Sequence, residues 1–259
     1  MKVSIVTIVY NSVLYIEKTI LSVINQTYPN IEYIIIDGGS TDGTLEIIKK
    51  YSNRINLLIS EKDNGIYDAM NKGIVHASGE WINFMNSGDS FYNNNIIDSV
   101  VKYLQNSDCE ILYGDVNKIF EWGETIVKPY DLKYLKNHMI FSHQSCFVKT
   151  ELAKRCPFGN KYKIAEDYNF FYNQYIRNTN FSYIPICISN FDSINGLSTK
   201  KMLYAMKEDA LINGNINKIN WNLNYLTFYI KIKIRSFFKI ILPQDIVIYI
   251  KRKLNKKGI

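Results

Sequence analysis

The hydrophobic residues from Met1 to Tyr113 alternate between two periods, and this alternation restricts the fold more than any other feature of the sequence. Val3–Val9 is a short apolar run rich in β-branched residues, which predicts a buried strand. Apolar residues at helical spacing follow, and Tyr28-Pro29-Asn30 ends that helix. The same order recurs, with strands predicted at Tyr33–Ile36, Ile55–Ile59, Trp81–Met85 and Glu110–Tyr113 and helices around Leu45–Ile48, Ile66–Ala77 and Ile97–Leu104.

Strands that alternate with helices over short connections predict an α/β fold, a mostly parallel sheet with helices on both faces. Residues 115–200 alternate less regularly and predict shorter, mixed elements packed on the same sheet. Ligands of such sheets bind at the carboxyl ends of the strands. The residues at those ends are polar, acidic or glycine-rich: Tyr10, Asn11, Asp37, Glu61–Gly65 and Asn86–Asp89.

Charge is distributed unevenly along the chain, although its net value is only +7. From Lys200 onward there are 13 Lys and Arg residues against 3 Asp and Glu residues, so a mildly acidic body precedes a basic tail. This distribution excludes a uniformly basic protein that binds nucleic acid.

The sequence predicts a cytoplasmic location. Its four cysteines are far apart, which predicts neither a zinc site nor a disulfide framework. The N-terminus has no signal-peptide pattern. A membrane-spanning helix is not expected, because no run of about 18 apolar residues occurs.

Asp37 and Asp89 each follow a predicted strand and are candidates for a nucleotide site. Asp37 precedes a glycine-rich turn, where a carboxylate accepts hydrogen bonds from a nucleobase or a ribose. The alternative is an ordinary strand–turn–helix connection with Thr41 or Asp42 as the helix cap. Asp89 is suited to Mg²⁺ or Mn²⁺ that bridges a diphosphate, and the alternative is again a helix cap.

His143 and the pair Glu166-Asp167 are candidates for the chemistry. His143 either acts in the site or is a hydrogen-bonded structural residue. Glu166 and Asp167 precede an aromatic helix, and one of them could act as a general base towards a hydroxyl group. The alternative is that both acids only stabilise the N-terminus of that helix.

Several sequence blocks in a fixed order resemble those of family 2 glycosyltransferases, and they extend over about residues 1–200. Such a resemblance implies a GT-A-type fold, a nucleoside diphosphate sugar as donor, and inverting transfer by single displacement. The blocks are Val3–Asn11, Ile36–Thr44, Asp63–Gly73, Gly79–Trp81, Asn86–Asp89, His143-Gln144, Ala165–Tyr168 and Asn195–Ser198.

The resemblance also implies roles for individual residues. Asp89 would bind Mn²⁺ or Mg²⁺, with His143 or water as a further metal ligand, and Asp167 would be the general base, with Glu166 as the alternative if the register shifts by one. Asp37 would contact the base or the ribose. The residues expected to bind the nucleotide are Thr7, Val9, Tyr10, Asn11, Asp37, Gly38, Gly39, Asn64, Asp68, Asn71, Lys72, Asn86, Ser87 and Gly88.

One departure from the family pattern concerns the metal. The common acidic motif has two or three carboxylates, whereas Asn86 and Gly88 stand at two of those positions in this chain. Asp89 is then the one carboxylate of the motif. Mg²⁺ tolerates this, because it keeps water ligands and binds substrate phosphates.

The resemblance predicts transfer of a hexosyl or N-acetylhexosaminyl group, with a UDP-sugar favoured, to a glycan or lipid-linked acceptor in surface-polysaccharide or lipopolysaccharide synthesis. Two alternatives stay open. The first is a catalytically inactive protein that binds nucleotide sugars or acts as a scaffold. The second is a sugar nucleotidyltransferase, although the glycine-rich signature of that class is absent near the N-terminus.

The tail predicts a second unit, so we expect a catalytic domain at 1–200 and a basic extension at 201–259. Leu226, Ile230, Ile234, Phe237 and Ile241 follow helical spacing beside lysines and arginines, which suits an anchor on the anionic inner face of the plasma membrane. The alternatives are a packing helix with a solvated basic face, a strand between Ile230 and Ile234, and an interface for nucleic acid, which no motif in the body supports. An oligomer is compatible with the sequence.

Overall fold

A computed structural model describes residues 1–194 and 201–241 of the chain. The expected loop Asn195–Ser198, the boundary near residue 200 and the basic residues from Lys251 onward lie outside the described residues.

The first half of the sheet is parallel, as the alternation predicts. Strands β3, β2, β1 and β4 lie side by side in that order, and Val9 is in register with Asp37 at their carboxyl ends. The elements are β1 (Val3–Val9), α1 (Ile16–Ile24), β2 (Ile31–Asp37), α2 (Thr44–Lys50), β3 (Leu57–Ser60), α3 (Ile66–His76) and β4 (Trp81–Phe84).

The second half of the sheet is mixed. Strand β8 is antiparallel to β4 and β6, whereas β6 and β9 are parallel to each other. The elements are β5 (Ser90–Phe91), α4 (Ile96–Leu104), β6 (Ile111–Phe120), β7 (Gly123–Val127), β8 (Cys146–Lys149), α5 (Thr150–Arg155), α6 (Glu166–Ile176), β9 (Phe181–Asp192), α7 (Met202–Ile212) and α8 (Ile219–Ile241).

Two hydrophobic clusters lie on opposite faces of the sheet. One packs α3, α5 and α6 against residues such as Val6 and Ile34, and the other packs α1 and α4 against residues such as Ile5 and Ile35. Neighbouring strand residues point to opposite faces, so continuous apolar runs are buried on both sides. The prediction of an α/β sheet flanked by helices is confirmed.

Two element boundaries differ from the predicted ones for local reasons. Strand β3 begins at Leu57 rather than Ile55, because residues 52–54 form a short 3₁₀ turn and Asn56 Oδ1 accepts the Tyr33 N–H at 2.8 Å. Helix α2 begins after Gly43, whose φ of 97° favours glycine, and the Thr44 N–H donates to Asp42 Oδ1 at 3.1 Å.

Helix α7 packs on α6 through its buried acid, Glu208. Its carboxylate accepts the backbone N–H groups of Lys163, Ile164 and Ala165 at 2.8, 2.9 and 3.0 Å. These bonds fix the loop that leads into α6. The chain beyond residue 200 therefore contributes to the unit that carries α6.

Candidate active site

The carboxyl ends of β1 and β4 open into a cleft of about 840 Å³. Helices α3, α6 and α7 and the ends of β6 and β9 supply the other walls. Nine of the residues predicted for the site line this cleft: Val9, Tyr10, Asn11, Asn86, Ser87, Gly88, Asp89, His143 and Asp167.

Asp89 is held at the floor of the cleft by two hydrogen bonds. Its side chain follows the turn at Gly88, whose φ is 103°, and is only 7% exposed. Oδ2 accepts from Gln144 Nε2 at 2.9 Å and Oδ1 accepts from the Asp192 N–H at 3.2 Å. Burial raises the pKa of Asp89 to about 7, although His143 and these hydrogen bonds oppose the rise.

A chain of hydrogen bonds connects the Asn86–Asp89 turn to Asp167. His143 Nε2 lies 2.9 Å from Asn86 Nδ2, and His143 Nδ1 lies 3.2 Å from Asp167 Oδ2. Because Asn86 Nδ2 can only donate, Nε2 of His143 accepts and Nδ1 carries the proton. Burial lowers the pKa of His143, but the hydrogen bond and charge of Asp167 and the charge of Asp89 raise it above its ordinary value.

Asp167 lines the cleft with one oxygen saturated and the other open. Oδ1 accepts from the Tyr168 N–H at 2.9 Å and lies 3.1 Å from the Tyr67 hydroxyl, whose single proton it shares with the Ile164 carbonyl at 2.5 Å. Oδ2 has His143 as its partner and keeps a free lone pair. Burial and the Asp167 charge raise the pKa of Tyr67 well above its usual range, so its hydroxyl stays a donor.

Glu166, the alternative base, has its carboxylate oxygens occupied by hydrogen bonds from the surrounding fold. It is 1% exposed, and its oxygens accept from the Gly159 N–H at 3.1 Å, the Tyr162 N–H at 3.0 Å and Asn169 Nδ2 at 2.6 Å. Glu166 does not line the cleft, and it holds the 159–162 loop to α6.

Tyr10 and Asn11 form the exposed edge of the cleft. The Tyr10 ring is 63% exposed. Asn11 has a φ of 46°, and its Oδ1 accepts the Thr41 N–H at 2.9 Å. This hydrogen bond connects the end of β1 to the glycine-rich turn, so two blocks predicted to bind the nucleotide lie side by side.

Asp37 is fully buried beneath that turn. Its carboxylate accepts from the Ser40 N–H at 3.1 Å and from the Ser60 hydroxyl at 2.7 Å. Gly39 has a φ of 83°, a backbone conformation that favours glycine, whereas a Cβ at Gly38 would only displace the end of the Asp63 side chain. In this arrangement Asp37 shapes the turn from below.

Five predicted nucleotide-binding residues hold the scaffold and do not line the cleft with their side chains. Thr7 is fully buried, and its hydroxyl donates to the Met85 carbonyl at 2.8 Å, so it supports the core. The Asn71 side chain makes two hydrogen bonds with the backbone of Phe158: Nδ2 donates to the carbonyl at 2.8 Å, and Oδ1 accepts from the N–H at 2.9 Å. The other contacts are Asp68 with the Asn64 N–H and Lys72 with Glu61.

The oxygen donors of the Asn86–Asp89 turn fit a divalent cation that takes its other ligands from diphosphate and water. Asp89 keeps one lone pair on each oxygen, and Asn86 Oδ1 is buried with no hydrogen-bond partner. No three His, Cys, Asp or Glu side chains converge in a metal-binding cluster within residues 1–194 and 201–241.

Four cleft residues are not among the predicted site residues: Tyr67, Lys118, Gln144 and Asp209. No sequence block contains Lys118 or Asp209, and tertiary packing brings both to the cleft. Burial and the charges of Asp167 and Glu208 raise the pKa of Asp209 to about 7. The blocks that contain Tyr67 and Gln144 were identified, but which of their side chains face the cleft depends on contacts about 55 to 100 residues apart in the chain.

Curated proteins similar to this chain are glycosyltransferases. A PGL/p-HBAD biosynthesis glycosyltransferase from Mycobacterium tuberculosis is 28% identical over 189 residues, which cover 68% of this chain and 71% of the relative. An uncharacterized glycosyltransferase from the same species is 32% identical over 180 residues, which cover 65% of this chain and 66% of the relative.

Solved structures share the fold at low sequence identity. S. aureus TarS 1–349 in complex with UDP-GlcNAc has a TM-score of 0.66 at 22% identity, covering 82% of this chain and 66% of that one. Mannosyltransferase PcManGT from Pyrobaculum calidifontis, in complex with GDP-Man and Mn²⁺, has a TM-score of 0.64 at 18% identity, covering 80% and 61%. The chain spans 39% of a longer TarS chain.

The family model named Glycosyl transferase family 2 matches residues 4–187, which include β1, the Asn86–Asp89 turn and Asp167. This match extends over well more than half of the sequence, and the GT-A-type fold agrees with it. The chain belongs to glycosyltransferase family 2.

Proposed function

We propose that the protein is an inverting transferase that moves a hexosyl or N-acetylhexosaminyl group from a nucleoside diphosphate sugar to a hydroxyl group of a glycan or lipid-linked acceptor in surface-polysaccharide synthesis. The observation that carries the proposal is the continuous connection of Asp89, Asn86, His143 and Asp167 along one cleft. A donor site and a base that one imidazole ring connects within the same cleft suit a single displacement.

UDP is the favoured nucleotide of the donor. TarS, which has the same fold, was solved in complex with UDP and with UDP-GlcNAc. Tyr10, Asn11 and the Ser87-Gly88 backbone would border the nucleotide, and the turn above Asp37 would close over it. The mycobacterial relative is a PGL/p-HBAD biosynthesis glycosyltransferase, which supports a biosynthetic transferase.

Asp89 and Asn86 would hold Mn²⁺ or Mg²⁺ in this site. A divalent cation neutralises the charge that develops on the departing diphosphate. PcManGT, another protein of this fold, was solved with Mn²⁺. His143 has both ring nitrogens engaged, and it therefore suits a role in linking Asn86 to Asp167 better than a role as metal ligand.

Asp167 would take the proton from the acceptor hydroxyl at Oδ2. Oδ1 is within hydrogen-bond distance of two donors, whereas Oδ2 has only His143 as its partner. Tyr67 and the Tyr168 N–H hold the carboxylate in its orientation. General base catalysis of this kind accelerates a reaction by about 10²–10⁴-fold.

The C-terminal helix would lie on an anionic membrane surface. Ile219, Leu223, Leu226, Ile230 and Ile234 form one stripe of α8 and are between 47% and 77% exposed. Exposed lysines at 231 and 233 belong to the same helix. An exposed apolar stripe with adjacent cations suits the headgroup region. No helix in the described part of the chain is long and apolar enough to span a bilayer.

The membrane proposal is tested by sedimentation of the full chain with phosphatidylserine-containing vesicles. We expect binding by the wild type and its loss in the triple variant Leu223→Asn, Leu226→Asn, Ile230→Asn, with the cleft activity in detergent unchanged. Equal sedimentation of both proteins would contradict this part of the proposal.

Turnover tests the transferase proposal itself. Purified protein with Mn²⁺ and a lipid extract as acceptor should release UDP from UDP-GlcNAc or another UDP-sugar. Nucleotide binding without consumption of any donor would instead favour an inactive nucleotide-sugar-binding protein.

A further inference from the structure

Lys118 is a cation in an otherwise acidic cleft, and it has no partner within residues 1–194 and 201–241. Among the described residues that line the cleft, it is the single lysine or arginine. Aspartates at five positions share that lining: Asp63, Asp89, Asp167, Asp192 and Asp209.

The position of Lys118 in the sheet is fixed on both sides. It lies on β6, in register with Phe191 of β9 and with Thr125 of β7. Its side chain is half-buried and lines the cleft. The strand pairing on both sides fixes the backbone at this position.

The ammonium group of Lys118 has no partner among the residues that the structure describes. No hydrogen bond, ion pair or ring contact reaches it from residues 1–194 or 201–241. Burial lowers its pKa. By contrast, Lys72, which is also near the cleft, pairs with Glu61 at 2.7 Å.

A desolvated charge without a counter-ion destabilises the folded chain, and such groups concentrate at functional sites. Lysine is a common partner of phosphate and carboxylate oxygens, towards which it acts as a compact charge. An anion that enters the cleft with a substrate would supply the missing partner.

We propose that Lys118 forms a subsite for an oxyanion, a phosphate or a carboxylate, carried by a substrate of the enzyme. The inference rests on the proposed function, since it takes the ligands of the cleft to be substrates. Two sources share this chemistry: the diphosphate of the donor, and a phosphate or acidic sugar of the acceptor.

The experiment uses the full chain with Lys118→Met, which keeps the stem and removes the charge, and Lys118→Arg, which keeps the charge. Lys102→Met is the matched control, because Lys102 is an exposed lysine on α4 outside the cleft lining. Calorimetry with Mn²⁺ compares UDP with uridine. In the presence of saturating UDP, a second series compares inorganic phosphate and glucuronate with glucose.

We expect Lys118→Met to lower the affinity for at least one anion by about tenfold or more. The affinities of Lys118→Met for uridine and glucose should equal those of the wild type. Lys118→Arg should retain most of the anion affinity, and Lys102→Met should match the wild type. A loss of affinity for UDP alone identifies the donor diphosphate as the anion, and a loss of affinity for phosphate or glucuronate alone identifies an anionic group of the acceptor.

Anion affinities that do not depend on Lys118 would overturn the inference. A lower melting temperature of Lys118→Met without any anion would also overturn it, because an unpaired buried charge predicts an equal or higher value. If the wild type binds UDP but Lys118→Met has the same affinity as the wild type for every anion, only this inference fails. If no nucleotide binds but phosphate binding depends on Lys118, the transferase proposal fails and the anion subsite stands.

Discussion

The imidazole Nδ1 of His143 lies 3.2 Å from Oδ2 of Asp167, and the opposite ring nitrogen lies 2.9 Å from Asn86 Nδ2. This single ring therefore connects the strand-end turn that carries Asp89 with the helix start that carries Asp167. In the proposed reaction these are the donor and acceptor ends of the cleft. A substitution at either Asn86 or Asp167 is therefore expected to change the pKa or the orientation of the His143 ring.

We expect Asp167→Asn to lower kcat by about 10²–10⁴-fold, because the amide cannot accept a proton. The affinity for UDP should be retained. The pKa of His143, followed by nuclear magnetic resonance of its ring, should fall, since the hydrogen bond and charge of Asp167 raise it in the wild type. Asp108→Asn, at an exposed loop position, is the control. Near wild-type turnover in a folded Asp167→Asn protein would refute the role of Asp167.

Glu166→Gln should instead act on stability. The carboxylate accepts three hydrogen bonds within the fold, and the amide presents one acceptor and an unmatched donor in their place. The free energy of unfolding is expected to fall by about 1–3 kcal/mol in urea denaturation. An unchanged midpoint together with lost activity would reverse the assignments of Glu166 and Asp167.

Glu208→Gln is expected to destabilise the protein by about 2–4 kcal/mol, because a buried carboxylate that accepts three backbone N–H groups is lost. The adjacent Asp209→Asn is the matched control. Burial and neighbouring charges raise the pKa of Asp209, so removing its charge at neutral pH should not lower stability. Equal urea midpoints for Glu208→Gln and the wild type would show that α7 does not hold the loop before α6.

The sequence predicts the parallel half of the fold well and the cleft only in part. The regular alternation up to Tyr113 reports burial, so β1 to β4 and their helices follow from it. The Asn86–Asp89 turn is local, and it too is predictable. The sequence places Glu208 in a separate tail, whereas in the structure its carboxylate binds backbone groups 43 to 45 residues earlier in the chain. Contacts between such distant residues produce no periodic pattern in the sequence. The same holds for Lys118, whose lack of a partner is a property of packing.

Stability should depend on pH through Glu32. Burial would raise its pKa, but hydrogen bonds from Lys2, Ser4 and Ser78 outweigh burial and lower it to about 2. The folded pKa lies below the unfolded value of about 4.3, so this stabilisation is complete above that pH and is lost as the pH falls towards 2.

Glu32→Gln measures this effect directly. Allowing for solvent screening, we expect the variant to be about 1–2 kcal/mol less stable at pH 7, with the difference shrinking between pH 5 and pH 2. The measurement is the urea midpoint of both proteins as a function of pH. A difference that stays constant over this range would contradict the assignment.

The most direct test of the donor site is calorimetric titration of the wild type and Asp89→Asn with UDP, GDP, dTDP and CMP, each with and without Mn²⁺. The account predicts that one nucleoside diphosphate, UDP in the first place, binds the wild type in a Mn²⁺-dependent manner and that Asp89→Asn loses this dependence. Absence of binding by any of the four nucleotides to the folded wild type would contradict it.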